Sequence, residues 1–217
     1  EFRVPSSEFR VPSSEFRVPS SLVAANPTLL YASRIRSNPM SGPFHDTARF
    51  YDTVYGHLDY GAHAKAVDAA IRANRLDARS LLDVACGTGR HLQVFRGRYD
   101  VVAGVDIDPA LIEIARTRNP DVDIHQADMT GFDLGQRFDA VTCLFSSIGY
   151  VRTEERLHAA IAAMARHLNF GGVLAVEPWF TPERWEEGKV VLHTVDEPDL
   201  KIARVSRSLP SDEGVSR

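Results

Sequence analysis

SLLDVACGTG, residues 80–89, decides how the rest of this chain is read. A short apolar run, Ser80 to Ala85, enters a turn built on Gly87 and Gly89, the passage from strand to helix at which nucleotides bind. A turn with no ligand is the plainer alternative, since glycine serves any tight reversal. The dinucleotide fingerprint G-x-G-x-x-G is the second, and it is incomplete. Gly87 and Gly89 fill its first two places, but Leu92 stands in the third, where a side chain obstructs close helix packing. Asp83, four residues ahead of Gly87, also opposes a pyrophosphate. At an effective dielectric of about 20, like charges about 4 Å apart repel by on the order of 4 kcal/mol. A dianionic cofactor such as a nicotinamide dinucleotide is disfavoured.

Outward from this loop, strands and helices alternate. Ala62 to Leu76 has alanine-rich helical spacing, Thr88 to Arg96 reads as a helix, and Val101 to Asp106 is a second strand. Pro109 opens the next helix, PALIEIARTR, where its missing N–H costs nothing, and Asp108 is its cap. VDIHQAD supplies a third strand, and FDAVTCLF, β-branched and aromatic, a buried fourth. TEERLHAAIAAMARHL is helical: Thr153 caps it, Arg156 stands where a capping box has Glu or Gln, and Leu157, Ile161, Met164 and Leu168 keep helical spacing. GGVLAVEPW is a fifth strand. The fold class is therefore α/β, a Rossmann-like, doubly wound, mostly parallel sheet with its ligands at the carboxyl ends of the strands.

A chain of 217 residues and 44% apolar composition buries one core. Residues 1–21 repeat EFRVPSS three times with no helical or strand period, and nothing up to Pro39 is better patterned. Residues 1–39 are expected to be a leader outside the fold, and residues 40–217, from Met40, the folded domain. A net charge of −4 builds no basic face for nucleic acid or an anionic membrane. No run approaches the roughly twenty apolar residues of a membrane span. Cys86 and Cys143 have neither paired nor metal-ligand spacing, and the histidines, His91 and His125 included, read as structural. No metal is expected, and a reducing, cytoplasmic setting follows.

Three acids end three successive strands, and together they suggest a cofactor. Asp83 suits a cationic nucleoside, and S-adenosylmethionine carries an ammonium and a sulfonium beside its adenosine. Gly87 and Gly89, with the Ala85 backbone, allow it a close approach. Asp106 in GVDID lies 17 residues after Gly89, where an acid reads ribose hydroxyls, with Ile107 beside it. Asp128 in QADM can accept from an adenine amino group while the Met129 backbone addresses the ring.

DVACGTG, GVDID, QADM and FDAVTCLFSSIGYV, in this order, resemble the class I S-adenosylmethionine-dependent methyltransferases. FYDTVY, LFSSIGY, HLNFGGVLAVEPWFTPE and ARVSRS are similar to the branch that dimethylates the amino group of nucleotide-linked deoxyaminosugars such as desosamine and mycaminose. The resemblance implies a small-molecule N-methyltransferase, with O- or C-acceptors and an inactive cofactor-binding fragment as the alternatives. It implies that Tyr51 reaches the methionine carboxylate of the cofactor, an aromatic staple being the other reading, and that Phe145 and Ser146 line the cofactor side. Tyr150, where some relatives carry histidine, becomes the candidate for contacting the amine, as an orienting group, because a phenol is a poor base at neutral pH. Glu177 and Trp179 would face the acceptor. Arg204, Ser206 and Arg207 would suit its diphosphate, although relatives have histidine at the place of Arg207.

In the family, the segment DEG-x-x-R runs on into a long strand, a helix and a final antiparallel strand pair, whereas here the sequence stops at Arg217. The resemblance thus implies truncation at the C-terminus, loss of substrate-side residues, and retention of the cofactor contacts. It also implies an apolar edge on the fifth strand that favours self-association, a homodimer included.

Overall fold

The computed structural model describes residues 47–178 and 186–208. The leader expected at residues 1–39, the start at Met40 and Trp179 lie outside the described residues. The chain divides into two compact units, residues 35–181 and a second containing residues 182–217, and each is described by itself.

The described part of the first unit begins with helix α1 (Ala48–Val54) and helix α2 (Tyr60–Asn74). Strand β1 (Ser80–Val84), helix α3 (Arg90–Phe95), strand β2 (Val101–Asp106), helix α4 (Pro109–Arg118) and strand β3 (Asp123–Gln126) follow. After them come strand β4 (Phe138–Cys143), a 3-10 turn (Ser147–Val151), helix α5 (Glu154–Arg166) and strand β5 (Leu168–Val176). The five strands form one parallel sheet in the order β3-β2-β1-β4-β5. The chain winds outward from β1 to β3, then returns to β4 beside β1. That reversal opens a crevice at the carboxyl ends of β1 and β4, the place where such sheets take ligands.

Both faces of the sheet are covered, which is why its strands are apolar on both sides. On one face Leu82, Val84, Val105, Val141 and Cys143 pack with Ala160, Ala163 and Met164 of α5. On the other, Leu81 and Ala140 meet Ala64 and Ile71 of α2 together with Phe95 and Tyr99. A smaller cluster seats α4 through Ile112 and Ala115 against Cys86 and Leu92. Gly104 on β2 makes room for it: a Cβ there would stand 2.9 Å from Leu92 Cδ1 and 3.0 Å from Cys86 Sγ. The close approach for which a dinucleotide loop uses its third glycine is here supplied by the neighbouring strand.

The capping expectations hold. Asp108 accepts from Ala110 N and Leu111 N, and Thr153 accepts from Arg156 N. Three boundaries move for identifiable reasons. Helix α2 starts at Tyr60 rather than Ala62, because Asp59 takes the Ala62 N–H as its cap. Helix α3 starts at Arg90 rather than Thr88, because Gly89 turns left-handed at φ 75°. Strand β5 begins at Leu168 rather than Gly171. Leu168 pairs with Phe138 and Val173 with Ala140, so the strand bulges between them. Gly171 at φ 71° and Gly172, whose Cβ would lie 2.9 Å from Asn169 O, admit the bulge. Leu168 is therefore a strand residue, and Leu157, also expected on the apolar stripe of α5, is 38% exposed. The buried face of that helix is Ala160, Ala163 and Met164. Among the described residues β5 is an outer strand of the sheet, and Phe170 on it stands in solvent.

The described part of the second unit holds an antiparallel hairpin, β6 (Val190–Glu197) with β7 (Leu200–Arg207). Arg204 pairs with His193 and Ser206 with Val191, so the two share a face, whereas Arg207 projects to the other. One strand face therefore presents Arg204 and Ser206, and the other Arg207. Among the described residues no helix is long and apolar enough to cross a membrane.

Candidate cofactor and active site

A cavity open to solvent lies at the crevice between β1 and β4. Of the expected residues, Tyr51, Asp83, Ala85, Gly87 and Phe145 line it. Tyr60, Thr88, Arg90, His91 and Leu144 complete most of the wall. The floor is polar and buried. Asp83 sits at the end of β1 between Gly104 and Thr142 of its neighbour strands, and Thr142 Oγ1 donates to its Oδ1 at 2.7 Å. Burial pushes the Asp83 carboxyl up to about 7, the Thr142 hydrogen bond opposes the shift, and nearby Asp106 adds to it.

Asp106 closes β2 and is also buried. Its Oδ2 accepts the Gly87 N–H at 2.8 Å and its Oδ1 the Asp108 N–H at 2.9 Å. Burial raises its carboxyl, and these backbone hydrogen bonds pull the other way. Asp106 thus fixes the glycine loop, with each oxygen keeping further acceptor capacity for a hydroxyl. Ile107 follows it, its carbonyl accepting from Gln126 Nε2 at 3.3 Å.

The two glycines do different work. Gly87, at φ 56°, has nothing within 4 Å of a built Cβ, so its open side leaves space for a ligand. A Cβ on Gly89 would lie 2.5 Å from Asn119 Nδ2 and 3.1 Å from Ala115 Cβ. Gly89 is required by α4 packing against the loop rather than by a close ligand approach. Ala85 and Phe145, both in the cavity wall, also hold left-handed backbone, as does Ser146.

Helix α1 is tied to the loop through Asp52. Thr88 Oγ1 donates to Asp52 Oδ1 at 2.7 Å, Arg118 pairs with Oδ2, and Arg90 Nε lies 3.4 Å from Oδ1. Burial works against the Asp52 charge, but the Thr88 and Arg118 hydrogen bonds hold its carboxyl below the usual range. This anchor brings Tyr51 into the cavity wall, its ring 4.7 Å from that of Tyr55. Burial raises the Tyr51 phenol, and pushes that of Tyr60 up to about 12.

The remaining expected residues do not line this cavity. Asp128 follows β3, its Oδ1 accepting from Thr130 N and Oγ1 and its Oδ2 from Arg156 Nη2 at 2.8 Å. Those bonds outweigh partial burial and lower its carboxyl. Arg156, out of place in a capping box, has this carboxylate as its partner. The Met129 side chain packs against the core. Tyr150, in the 3-10 turn, is 46% exposed and outside the cavity wall. Glu177, just beyond β5, accepts the Phe145 N–H on Oε2 at 2.6 Å, and Ser146 Oγ donates to the Pro178 carbonyl at 3.0 Å. Among the described residues no group of three His, Cys, Asp or Glu side chains could hold a metal ion.

Asp52, Tyr60, His63 and Arg118 escape sequence reasoning. Only Asp52 had a signal, its place in FYDTVY, and what marks the others is a partner about 30 to 70 residues away. His91 is buried, as a structural histidine should be, yet it forms part of the wall; burial first, and His63 second, lower it to about 3. His125 lies 2.9 Å from Asp123 at the surface.

The chain matches the family described as Methyltransferase domain over residues 81–172. It is 43% identical over 166 residues to the dTDP-3-amino-3,4,6-trideoxy-alpha-D-glucopyranose N,N-dimethyltransferase of Streptomyces venezuelae, covering 76% of this chain and 70% of that protein. It is 42% identical to the dTDP-4-amino-2,3,4,6-tetradeoxy-D-glucose N,N-dimethyltransferase of Saccharopolyspora spinosa, over 76% of this chain and 67% of that one. An amino pentose methyltransferase from Micromonospora echinaspora, solved with S-adenosylmethionine bound, superposes with a TM-score of 0.70 at 45% identity, covering 74% of this chain and 69% of that chain. A buried acid at the switch point and these relatives agree: the chain belongs to the S-adenosylmethionine-dependent methyltransferases, in the family of these aminosugar enzymes.

Proposed function

We propose that this chain methylates the amino group of a nucleotide-linked deoxyaminosugar, adding one or two methyl groups from S-adenosylmethionine. The observation that carries the proposal is the buried Asp83 at the floor of a cavity whose glycine side is open, with Asp106 fixing the glycine loop through Gly87. Such a floor attracts a cation and repels a phosphate chain. The substrates printed in the names of the similar enzymes supply the acceptor class.

When bound, S-adenosylmethionine supplies a methyl group on a sulfonium. The bond from sulfur to methyl breaks as the bond from the amine nitrogen forms, and the amine sheds a proton. The chain's part is alignment, which gives such displacements much of their rate. In this reading Asp83 meets the donor's ammonium, and Asp106 with Ile107 the ribose. Asp128 and Met129 address the adenine. Gly87, Gly89 and Ala85 shape the loop, and Tyr51, Phe145 and Ser146 close the methionine end. Tyr150 orients the amine at an exposed position from which water can carry the proton away. Glu177 borders the acceptor, and Arg204, Ser206 and Arg207 are the candidates for its diphosphate.

The test is incubation of the full chain with S-adenosylmethionine and dTDP-linked 3-amino, 4-amino and hydroxy deoxysugars, read by mass. Gain of one or two methyl groups on an amino sugar is expected. Methylation confined to the hydroxy sugars, or of none, overturns the proposal.

A further inference from the structure

Three elements distant in sequence meet behind the cavity wall. His63 of α2 places Nδ1 2.8 Å from Nε2 of His91 on α3, and its own Nε2 lies 3.4 Å from Glu177 Oε2, beyond β5. The same Glu177 oxygen accepts the Phe145 N–H at 2.6 Å, and the Glu177 N–H donates to the Cys143 carbonyl at 2.9 Å. A chain of contacts therefore runs from His91 through His63 and Glu177 to the turn after β4.

That turn needs holding. Phe145 and Ser146 sit consecutively at φ 59° and 56°, a region that side chains other than glycine seldom occupy. Phe145 lines the cavity, its ring 5.5 Å from Tyr55 and 6.1 Å from Tyr60. If the turn relaxed toward ordinary backbone, Phe145 would leave the wall. The Glu177 carboxylate opposes this by accepting the Phe145 amide, and it is itself 39% exposed, so it needs a second partner to stay there. His63 faces it. His63 is in turn oriented by His91, which burial keeps neutral, so one nitrogen of the 2.8 Å pair donates and the other accepts.

We propose that His63 is a positioning residue for methyl transfer: anchored on His91 in the cavity wall, it holds the Glu177 carboxylate against the Phe145 amide, and so keeps the left-handed turn that shapes the cofactor cavity. The proposal rests on reading that cavity as the S-adenosylmethionine site. It gives His63 an effect on cofactor affinity without contact with the cofactor.

The experiment titrates S-adenosylhomocysteine calorimetrically into the full-length wild type, His63→Phe, His63→Gln, Glu177→Ala and the double variant His63→Phe/Glu177→Ala. His63→Phe should weaken binding about tenfold, on the order of one polar contact to a carboxylate. His63→Gln, which keeps a donor facing Glu177, should stay within about threefold of wild type. Because His63 acts through Glu177, the double variant should bind no more weakly than Glu177→Ala alone. Thermal midpoints of the ligand-free proteins identify any variant that fails to fold, and His63→Gln with the wild type keeps the comparison decisive in that case. Undiminished binding by a folded His63→Phe, losses that multiply in the double variant, or a His63→Gln as weak as His63→Phe overturns the proposal. A wild type that takes up no S-adenosylhomocysteine overturns the cofactor reading itself, so the two failures are told apart.

Discussion

Thr142 donates its hydroxyl to Asp83 across the β1–β4 pair at 2.7 Å, and both side chains are buried. One hydrogen bond is modest compensation for removing a carboxylate from water. Asp83 is thus held in a site that disfavours its charge until a cation arrives, which ties the chain's pH dependence to its ligand.

The folded, ligand-free protein holds the Asp83 proton up to a pH of about 7, whereas the unfolded chain releases it near the ordinary carboxylate value of 3.8. Between those values the native state binds more protons, so this group's contribution to stability falls as pH rises from about 4 to about 7. Asp83→Asn should flatten that slope and raise the thermal midpoint of the ligand-free protein at neutral pH and above. The same substitution should weaken S-adenosylhomocysteine binding at least about tenfold, the loss of a charged hydrogen bond. Wild-type affinity should rise with pH and level off above 7. Thermal melts and calorimetry across the range check both halves.

Gly89→Ala and Gly87→Ala should separate stability from binding. At Gly89 the added methyl meets Asn119, whose Nδ2 is already committed to the Gly89 and Ala115 carbonyls at 3.1 Å each. With a left-handed backbone besides, the loss in urea unfolding should be about 2–4 kcal/mol. At Gly87 only the backbone objects, at about 1–2 kcal/mol. Its methyl enters the open side of the loop, so ligand affinity should suffer more than stability.

Asp52→Asn should loosen α1. The variant keeps an acceptor for Thr88 but loses the charge that draws Arg118 and Arg90. A stability loss of about 1–2 kcal/mol is expected. Because the folded state holds the Asp52 carboxyl low, its contribution is present above the ordinary carboxylate range and lost as pH falls through the folded value. Hydrogen exchange over residues 47–55 should quicken in the variant.

Tyr150→Phe tests orientation against packing. Tyr150 stands outside the cavity wall, so S-adenosylhomocysteine affinity should stay within about twofold of wild type while turnover on an aminosugar drops about tenfold. Equal losses in both would assign Tyr150 to packing.

Much of this was legible in the residues. Alternating strand and helix patterns, Asp108 and Thr153 as caps, and the acids closing β1, β2 and β3 are local features, each set by a few consecutive side chains. Leu157 and Leu168 mislead because periodicity marks which residues are apolar, not which side of a helix faces a sheet or where a bulge begins.

What the sequence determined by itself is therefore the architecture and the place of the cavity: a glycine turn after a buried strand, and an acid too close ahead of it for a phosphate chain. What only the tertiary structure decided is which groups share that cavity. Gly104 making room for Leu92, Arg118 reaching Asp52, and His63 joining His91 to Glu177 all depend on packing between elements far apart in the chain. Local propensity carries no record of such meetings, because they arise only when burial of the sheet's two faces brings the helices together.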